Sequence, residues 1–365
     1  MSISGLLAEK HSDASICVST LDEKADRQFV KRNLTYISDK APANKNVKRI
    51  FNVLQQYMPF LNAEARYTYR NFRKSVNKFD SDTVFISIGG DNYCCEKPAW
   101  LYYLNSIIDK KKCKRVLFGC TIEEKWLGAR MIKDLDGYSV ITARDMVSYH
   151  ILEEKLKKAK VIYMPDTAFC VKPMDVDFEV LPKTIGINLS PFATKKGKSA
   201  QLKSCYSELI EHILKQTDYN VLLIPHVYIP GNDDRDVLRE LYQPFENEHR
   251  VSMIQKEYSY AELRTIISRL SMLVCARTHA SISGYATCVP TLVLGYSGKS
   301  HQISYELFGT DEGYVMEADE ELRPEVLINA VDDYLSTLSE KKKRLEECVP
   351  SYMKLIHYPE EIDAK

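Results

Sequence analysis

The stretch MLVCARTHASISG, residues 272–284, runs from four apolar residues through a polar turn into a series of small residues. The apolar run Met272–Cys275 is typical of parallel strands that are buried on both faces. Small residues such as Ala280 and Gly284 would let a following helix lie close to the sheet. This stretch therefore predicts a buried strand, a turn around Arg277, Thr278 and His279, and a helix.

Short apolar runs alternate with amphipathic segments from residue 82 onward. Leu202, Cys205 and Leu209 recur at helix spacing, and Ser259 with Glu262 fits a capping box at the start of another helix. Because repeated strand–helix–strand units give right-handed crossovers and parallel sheets, the fold class is α/β with Rossmann-like domains. The predicted strands are Thr83–Ile88, Arg115–Gly119, Tyr138–Thr142, Val161–Met164, Thr184–Leu189, Val221–Ile224, Val251–Ile254, Met272–Cys275 and Thr291–Tyr296.

A chain of 365 residues is longer than one core usually supports, so its length favours two domains. Pro173 and Pro182 flank an acidic stretch and predict the seam. We expect an N-terminal Rossmann-like domain over residues 1–175, a C-terminal one over 183–330 and a helical tail over 331–365. The helix expected from Pro324 onward would present one apolar face, made of Val326, Leu327, Ala330, Val331 and Leu335.

The beginning of the chain departs from the usual Rossmann order. Such a domain opens with a strand and a Gly-rich turn, whereas Gly5–Lys10 resembles the end of a helix and Ala14–Thr20 a second strand. Either the domain natively lacks the first strand and its loop, or the chain is a shortened version. We favour the second interpretation.

The composition excludes several classes of protein. Fifty basic and fifty acidic residues balance, which argues against a nucleic-acid partner held mainly by phosphate contacts. No stretch approaches the ~18 continuous apolar residues of a membrane span, and no apolar signal segment is visible at the N-terminus. The ten cysteines are scattered without a zinc-binding spacing, so we expect reduced thiols in a cytoplasmic protein, and no metal or cofactor.

The turn at Arg277 to His279 is the strongest candidate site. Ligands of open α/β sheets bind at the carboxyl ends of strands, and a helix N-terminus attracts anions. Arg277 and His279 would point into such an anion site. Lys299 follows the next strand, after a turn that contains Gly298, and can reach the same crevice as a mobile charge.

Polar residues also follow strands elsewhere in the chain. In the first half, Gly89 and Gly90 permit a tight turn, and Asp91 and Asn92 come directly after them. Arg144 is a candidate ligand, while Asp145 is expected to cap the helix that follows it. The other polar residues at predicted strand ends are Asp166, Asn188, Ser190 and His226.

Taken in order, these motifs resemble the polysaccharide pyruvyl transferase family. The likeness spans roughly residues 80–300, and the motifs that carry it begin at Ile88, Ile141, Pro165, Ile185, Arg277 and Tyr296. It implies two domains facing a cleft, as in GT-B glycosyltransferases, and transfer of pyruvate from phosphoenolpyruvate as a ketal. It places the essential histidine at His279 and an anion-binding arginine at Arg277, with Thr278, Lys299 and Arg144 as further donor ligands.

The resemblance also implies an acceptor, which would be a sugar or a lipid-linked oligosaccharide. Asp91 or Asp166 could orient or deprotonate the acceptor hydroxyl, although the family often has a different residue at position 91. We predict no nucleic-acid partner and no integral membrane segment, and we leave peripheral membrane association and oligomeric state open.

Two other functions remain as alternatives. A glycosyltransferase of the same architecture would clamp a nucleotide sugar, but Glu306 is the only acid between Thr278 and Gly309 that could hold a ribose. The other alternative is a non-catalytic protein that binds glycans.

Overall fold

The computed structural model describes residues 2–29, 34–38, 45–58, 63–94, 98–191, 199–295, 298–319 and 322–363. The chain forms two compact units, Met1–Thr167 with Ile356–Lys365, and Ala168–Leu355. The division therefore falls a few residues before the seam that the prolines predict. The C-terminal segment belongs to the first unit because Lys114 donates to the carbonyl of Ile362 (2.6 Å) and Lys10 pairs with Glu360 (2.8 Å).

The first unit holds its described strands in two parallel sheets. One is the pair β1–β2, and the other has the order β3-β4-β5-β6, which follows the chain. The strands are β1 (Cys17–Thr20), β2 (Thr35–Ser38), β3 (Val84–Ser87), β4 (Lys114–Cys120), β5 (Val140–Ala143) and β6 (Lys160–Tyr163). The helices are α1 (Ser2–Lys10), α2 (Glu23–Phe29), α3 (Lys45–Tyr57), α4 (Ala63–Tyr69), α5 (Arg73–Lys78), α6 (Ala99–Lys110), α7 (Ala129–Leu135) and α8 (Met146–Lys155).

The second unit is built on a six-stranded parallel sheet with the order β11-β8-β7-β12-β13-β14. Its strands are β7 (Thr184–Asn188), β8 (Asn220–Leu223), β11 (Val251–Met253), β12 (Met272–Cys275), β13 (Thr291–Gly295) and β14 (Val315–Glu317), and a short antiparallel pair, β9 (Tyr228–Ile229) with β10 (Asn232–Asp233), lies outside it. The helices are α9 (Ser199–Gln216), α10 (Asp234–Tyr242), α11 (Tyr260–Ile267), α12 (Thr278–Ala286), α13 (Gly298–Phe308), α14 (Pro324–Ser336) and α15 (Leu338–Met353).

This strand order reverses direction between β7 and β12, as in a Rossmann fold. Counted along the chain from β7, the six strands run 3-2-1-4-5-6 across the sheet. The two strands pair in parallel with Cys275 opposite Asn188, so their carboxyl ends lie side by side. Ligands of open α/β sheets bind outside the strand ends at such a switch point.

Close packing fixes helix α12 against this sheet. A Cβ atom on Gly284 would lie 2.2 Å from Thr291 Oγ1, so only glycine allows the helix to come this near. Leu273 of β12 is fully buried, and its Cδ2 atom would lie 3.3 Å from the same Cβ. The small residues of the opening stretch therefore act as the sequence predicts.

The predicted elements are confirmed with few exceptions. All nine predicted strands are present, the last ending at Gly295, since Tyr296 lies outside the described residues. The capping box of Ser259 and Glu262 is formed at the start of α11. The predicted apolar face of α14 is wrong at Val326, which is 48% exposed, because the helix buries Leu327, Val331 and Tyr334 instead.

No helix in the described parts of the chain is both long enough and apolar enough to cross a membrane.

Candidate functional site

Polar side chains of the second unit gather at the carboxyl edge of its sheet. Asn188 ends β7, Ser190 follows two residues later, His226 follows β8, and Arg277 follows β12. The Asn188 amide donates to the carbonyl of Ile224 (2.9 Å), and its oxygen accepts from the Arg277 backbone N–H (3.0 Å). Asn188 thus ties the ends of three neighbouring strands together at the switch point.

Asp234 is the centre of this edge. It is completely buried at the start of α10, and its carboxylate accepts from Arg277 Nη2 (2.6 Å) and Nε (3.0 Å). The backbone N–H groups of His226 (3.0 Å) and Val227 (3.2 Å) and the Asn188 amide (3.2 Å) donate to the same carboxylate. Burial raises the pKa of Asp234, and these donors with the Arg277 cation oppose that rise.

Arg277 is held inside this network. It is the N-cap residue of α12 and is 8% exposed, and its Nη2 also donates to the Asn232 side chain (2.9 Å). The sequence predicts an arginine that points at an anion, whereas the structure directs its guanidinium to Asp234. The reason is that the buried carboxylate needs a cation as its partner.

His279 lies in the first turn of α12, two residues after Arg277. It is exposed, and its ring meets the ring of Tyr260 edge-on at 6.2 Å. The Tyr260 hydroxyl donates to the His279 carbonyl (3.3 Å) and accepts from Arg264 Nη2 (2.9 Å). Arg264 is itself buried and donates to the carbonyls of Ala168 and Phe169.

The His226 ring also meets Tyr260 edge-on. The two rings are 5.4 Å apart and nearly perpendicular. Although the residue is only partly buried, its Nε2 atom is shielded from solvent and has no hydrogen-bond partner among the described residues. Burial, with the nearby His279, Arg277 and Arg264, lowers the pKa of His226 to about 3, so its ring is neutral near pH 7.

Lys299 occupies the position that corresponds to His279 on the next strand. It is in the first turn of α13, directly after β13, and is partly buried. Because β12 and β13 are parallel neighbours, the starts of α12 and α13 lie at the same edge of the sheet. The Tyr296 and Ser297 part of this motif lies outside the described residues.

The first unit has its own polar cluster, centred on Arg144. The guanidinium donates to Asp91 (Nη2, 2.8 Å), to Asp166 (Nη1, 3.0 Å) and to Thr121 (Nε, 2.8 Å). Burial opposes the positive charge, but Asp166 and Asp91 outweigh it and raise the pKa of Arg144. Asp91 has 64% of its side chain exposed, whereas Asp166 and Arg144 have 14% each.

The two glycines after β3 make room for this cluster. A Cβ on Gly90 would lie 2.5 Å from Arg144 Nη1, and one on Gly89 would lie 2.3 Å from the Asn92 side chain. Asn92 in turn donates to Ser87 (2.8 Å). These glycines are therefore needed for close approach of two side chains.

Asp145 caps helix α8, as the sequence predicts. Its carboxylate accepts from the Ser148 backbone N–H (2.7 Å), and it is buried beside Thr121.

Three residues of the second-unit site were missed by sequence reasoning. Tyr260 and Arg264 belong to the helix that the capping box of Ser259 and Glu262 predicts, and that signal does not mark either of them as a site residue. Asp234 follows another aspartate at a helix start, and only the N-cap role of Asp233 could be read from that pattern.

Comparison with known proteins identifies the family. A family model described as polysaccharide pyruvyl transferase matches residues 5–298. The chain belongs to the polysaccharide pyruvyl transferase family. No curated protein sequence gave a match.

Solved structures show the same fold at low sequence identity. A Listeria monocytogenes protein described as a UDP-N-acetylglucosamine 2-epimerase has a TM-score of 0.60 at 11% identity, covering 95% of this chain and 86% of its own. S. aureus MnaA, solved with UDP, has a TM-score of 0.60 at 10% identity, covering 100% and 92%. The Neisseria meningitidis UDP-GlcNAc 2-epimerase has 0.58 at 12%, covering 97% and 92%. The fold is therefore of the GT-B type.

Proposed function

We propose that this pyruvyl transferase takes pyruvate from phosphoenolpyruvate, attaches it to a sugar as a ketal and releases phosphate. The observation that carries the proposal is the exposed His279 in the first turn of α12, next to a switch point whose Arg277 is already paired. The match to the family supports the reaction class.

The donor would bind at the starts of α12 and α13. Phosphoenolpyruvate carries a carboxylate and a phosphate, and helix N-termini attract such anions through backbone N–H groups and the helix dipole. Thr278 opens α12, and Lys299 supplies a mobile positive charge from α13. Arg277, held by Asp234, would contribute by fixing the start of α12 rather than by gripping the donor directly.

His279 would move the proton. Ketal formation needs a proton on the methylene carbon and attack of two sugar hydroxyls in turn on the central carbon, with phosphate departing before the second attack. Of the two hydroxyl protons, one is balanced by the proton that the methylene carbon gains and the other leaves with the phosphate. Histidine is the side chain whose ordinary pKa suits proton transfer near neutral pH. His226 would support the site without touching the substrate, because its neutral ring packs on Tyr260, whose ring also meets His279, and its Nε2 is shielded from solvent.

The first unit would supply the acceptor side. Asp91 is the exposed carboxylate of the Arg144 cluster and is a candidate to orient or deprotonate the attacking hydroxyl, with Asp166 as the buried alternative. Gly89, Gly90 and Asn92 would shape the surface beside these carboxylates. For Arg144 to serve the donor, it would have to exchange one of its two carboxylate partners for the anion.

The experiment is a transfer assay with phosphoenolpyruvate and a panel of sugar and lipid-linked acceptors. Phosphate release should depend on the acceptor, and mass spectrometry should find a pyruvate ketal on the product. His279→Gln should retain the fold and most of the donor affinity, while turnover falls by roughly 10²–10⁴. An enzyme that works equally well with Gln at this position would refute the role of the histidine.

The same preparation separates the alternatives by ligand-dependent melting. Phosphoenolpyruvate should raise the melting temperature if the proposal holds. Stabilisation by a nucleotide sugar alone would instead identify a glycosyltransferase, and stabilisation by a glycan alone would identify a binding protein. Glu306 accepts from the Tyr352 hydroxyl (2.8 Å), which makes it a poor ribose ligand and favours the first outcome.

A further inference from the structure

The first unit carries a one-sided distribution of charge. Residues 45–78, which span α3, α4 and α5, contain eight basic residues and one acid, Glu64, although the 50 basic and 50 acidic residues of the whole chain balance. Five of these basic side chains are exposed and make no ion pair with a carboxylate among the described residues. They are Lys48, Arg49, Arg66, Arg73 and Lys78.

Helix α3 adds exposed apolar side chains to this charge. Ile50 is 58% exposed, Val53 is 47% exposed, and Met58, just after the helix, is 44% exposed. Helix spacing places Arg49, Ile50 and Val53 on one side of α3. Another part of the helix is covered, because the Phe51 ring packs on Tyr67 of α4 at 5.5 Å.

We propose that the α3 surface, made of Lys48, Arg49, Ile50, Val53 and Met58, docks the protein on a bilayer that contains anionic lipid. Exposed cations are attracted to anionic headgroups, and apolar side chains beside them insert at the boundary with the acyl chains. A soluble polyanion would use the cations but would gain nothing from three exposed apolar side chains. The combination of the two therefore favours a membrane.

Docking gives the proposed reaction a location. A lipid-linked sugar acceptor lies in the same leaflet, so docking would turn a three-dimensional search into a two-dimensional one. This consequence rests on the proposed function, whereas docking itself does not. Vesicle binding and pyruvate transfer can therefore fail separately.

The test is cosedimentation of the full chain with vesicles of phosphatidylcholine, with and without phosphatidylglycerol. The protein should bind the anionic vesicles, release at high salt and ignore the neutral ones. Removing two charges in Lys48→Gln/Arg49→Gln should weaken binding about 30-fold, because each cation near the surface contributes roughly fivefold. Ile50→Ser/Val53→Ser should weaken it by roughly tenfold through lost apolar burial.

Matched controls come from the second unit. Val326, on α14, is as exposed as Val53, and Lys342 and Lys343 form an exposed basic pair on α15. Val326→Ser and Lys342→Gln/Lys343→Gln should bind as the parent does, and thermal melts should show that every variant is folded. His279→Gln should also bind vesicles normally, since docking needs no turnover.

Three results would overturn the proposal. The first is a parent protein that does not bind anionic vesicles. The second is equal binding to neutral vesicles. The third is full binding by Ile50→Ser/Val53→Ser, which would identify a site for polyanions, to be checked by competition with heparin. Normal docking together with failed pyruvate transfer would instead overturn only the proposed function.

Discussion

Replacing Asp234 by alanine should lower the unfolding free energy of the second unit more than any substitution on its surface. The carboxylate accepts from both Nε and Nη2 of Arg277 and from the backbone N–H groups of His226 and Val227. Without it, the nearly buried Arg277 keeps its charge and loses its counter-ion. Breaking a buried ion pair from one side costs about 3–5 kcal/mol of unfolding free energy.

Two further variants separate charge from shape. Asp234→Asn keeps the size but removes the charge, and should cost roughly 1.5–3 kcal/mol, the range for hydrogen bonds to charged groups. Asp234→Leu with Arg277→Met removes both partners and should cost clearly less than the sum of the single changes. The control is Asp236→Ala in the same helix. Its carboxylate is 66% exposed in a surface pair with Arg239, so its loss should be within about 0.5 kcal/mol.

The assay is urea unfolding followed by far-ultraviolet circular dichroism and by tryptophan fluorescence. Both tryptophans, Trp100 and Trp126, belong to the first unit, so fluorescence reports that unit, while circular dichroism reports the whole chain. The Asp234 variants should lower the urea midpoint of the second unit, which only circular dichroism detects, and should leave the fluorescence transition of the first unit unchanged. The reasoning is refuted if Asp234→Ala costs no more than Asp236→Ala, or if the double change costs the full sum.

Three other expectations follow from the same geometry. Gly90→Ala should push the Arg144 guanidinium away and cost about 1–3 kcal/mol in a urea titration, whereas Gly128→Ala, whose Cβ would meet nothing within 4 Å, should be nearly neutral. Because the pKa of His226 is about 3 in the folded state and about 6.5 in the unfolded state, the unfolded chain takes up its proton first as the pH falls, and between pH 6.5 and 3 the unfolding free energy should fall by up to about 1.4 kcal/mol per pH unit. In pH-dependent unfolding, His226→Phe should show a shallower slope over this range. Lys299→Met should weaken phosphoenolpyruvate binding roughly tenfold in calorimetry without lowering the melting temperature, and unchanged affinity would remove Lys299 from the donor site.

Local sequence patterns predict much of the fold. Runs such as Met272–Cys275 are apolar throughout because strands buried on both faces expose neither side, and this pattern survives in a single sequence. Caps are equally local. Asp145 and Ser259 bond backbone N–H groups three residues away, so spacing alone reveals them.

The sequence does not predict which residues pair with Arg144 and Arg277, because these pairs are distant in the chain. Arg144 meets Asp91 from 53 residues away, and Arg277 meets Asp234 from 43 residues away. Strand order decides these meetings, since parallel neighbours bring their carboxyl ends to one edge whatever their separation in sequence. The exposed side of α14 was missed for a related reason, because which neighbours cover Val326 is a tertiary property.

The sequence by itself determined the α/β class, the strands, the helix caps and the positions of Arg277, His279 and Lys299 at strand ends, since each depends on residues within about one turn or one strand of each other. Only the tertiary structure decided that the Arg277 guanidinium pairs with Asp234, that the rings of His226 and His279 both meet Tyr260, and that His226 is neutral. Charge pairing and burial are set by distances through space, and a buried charge is stable only where the fold brings its partner.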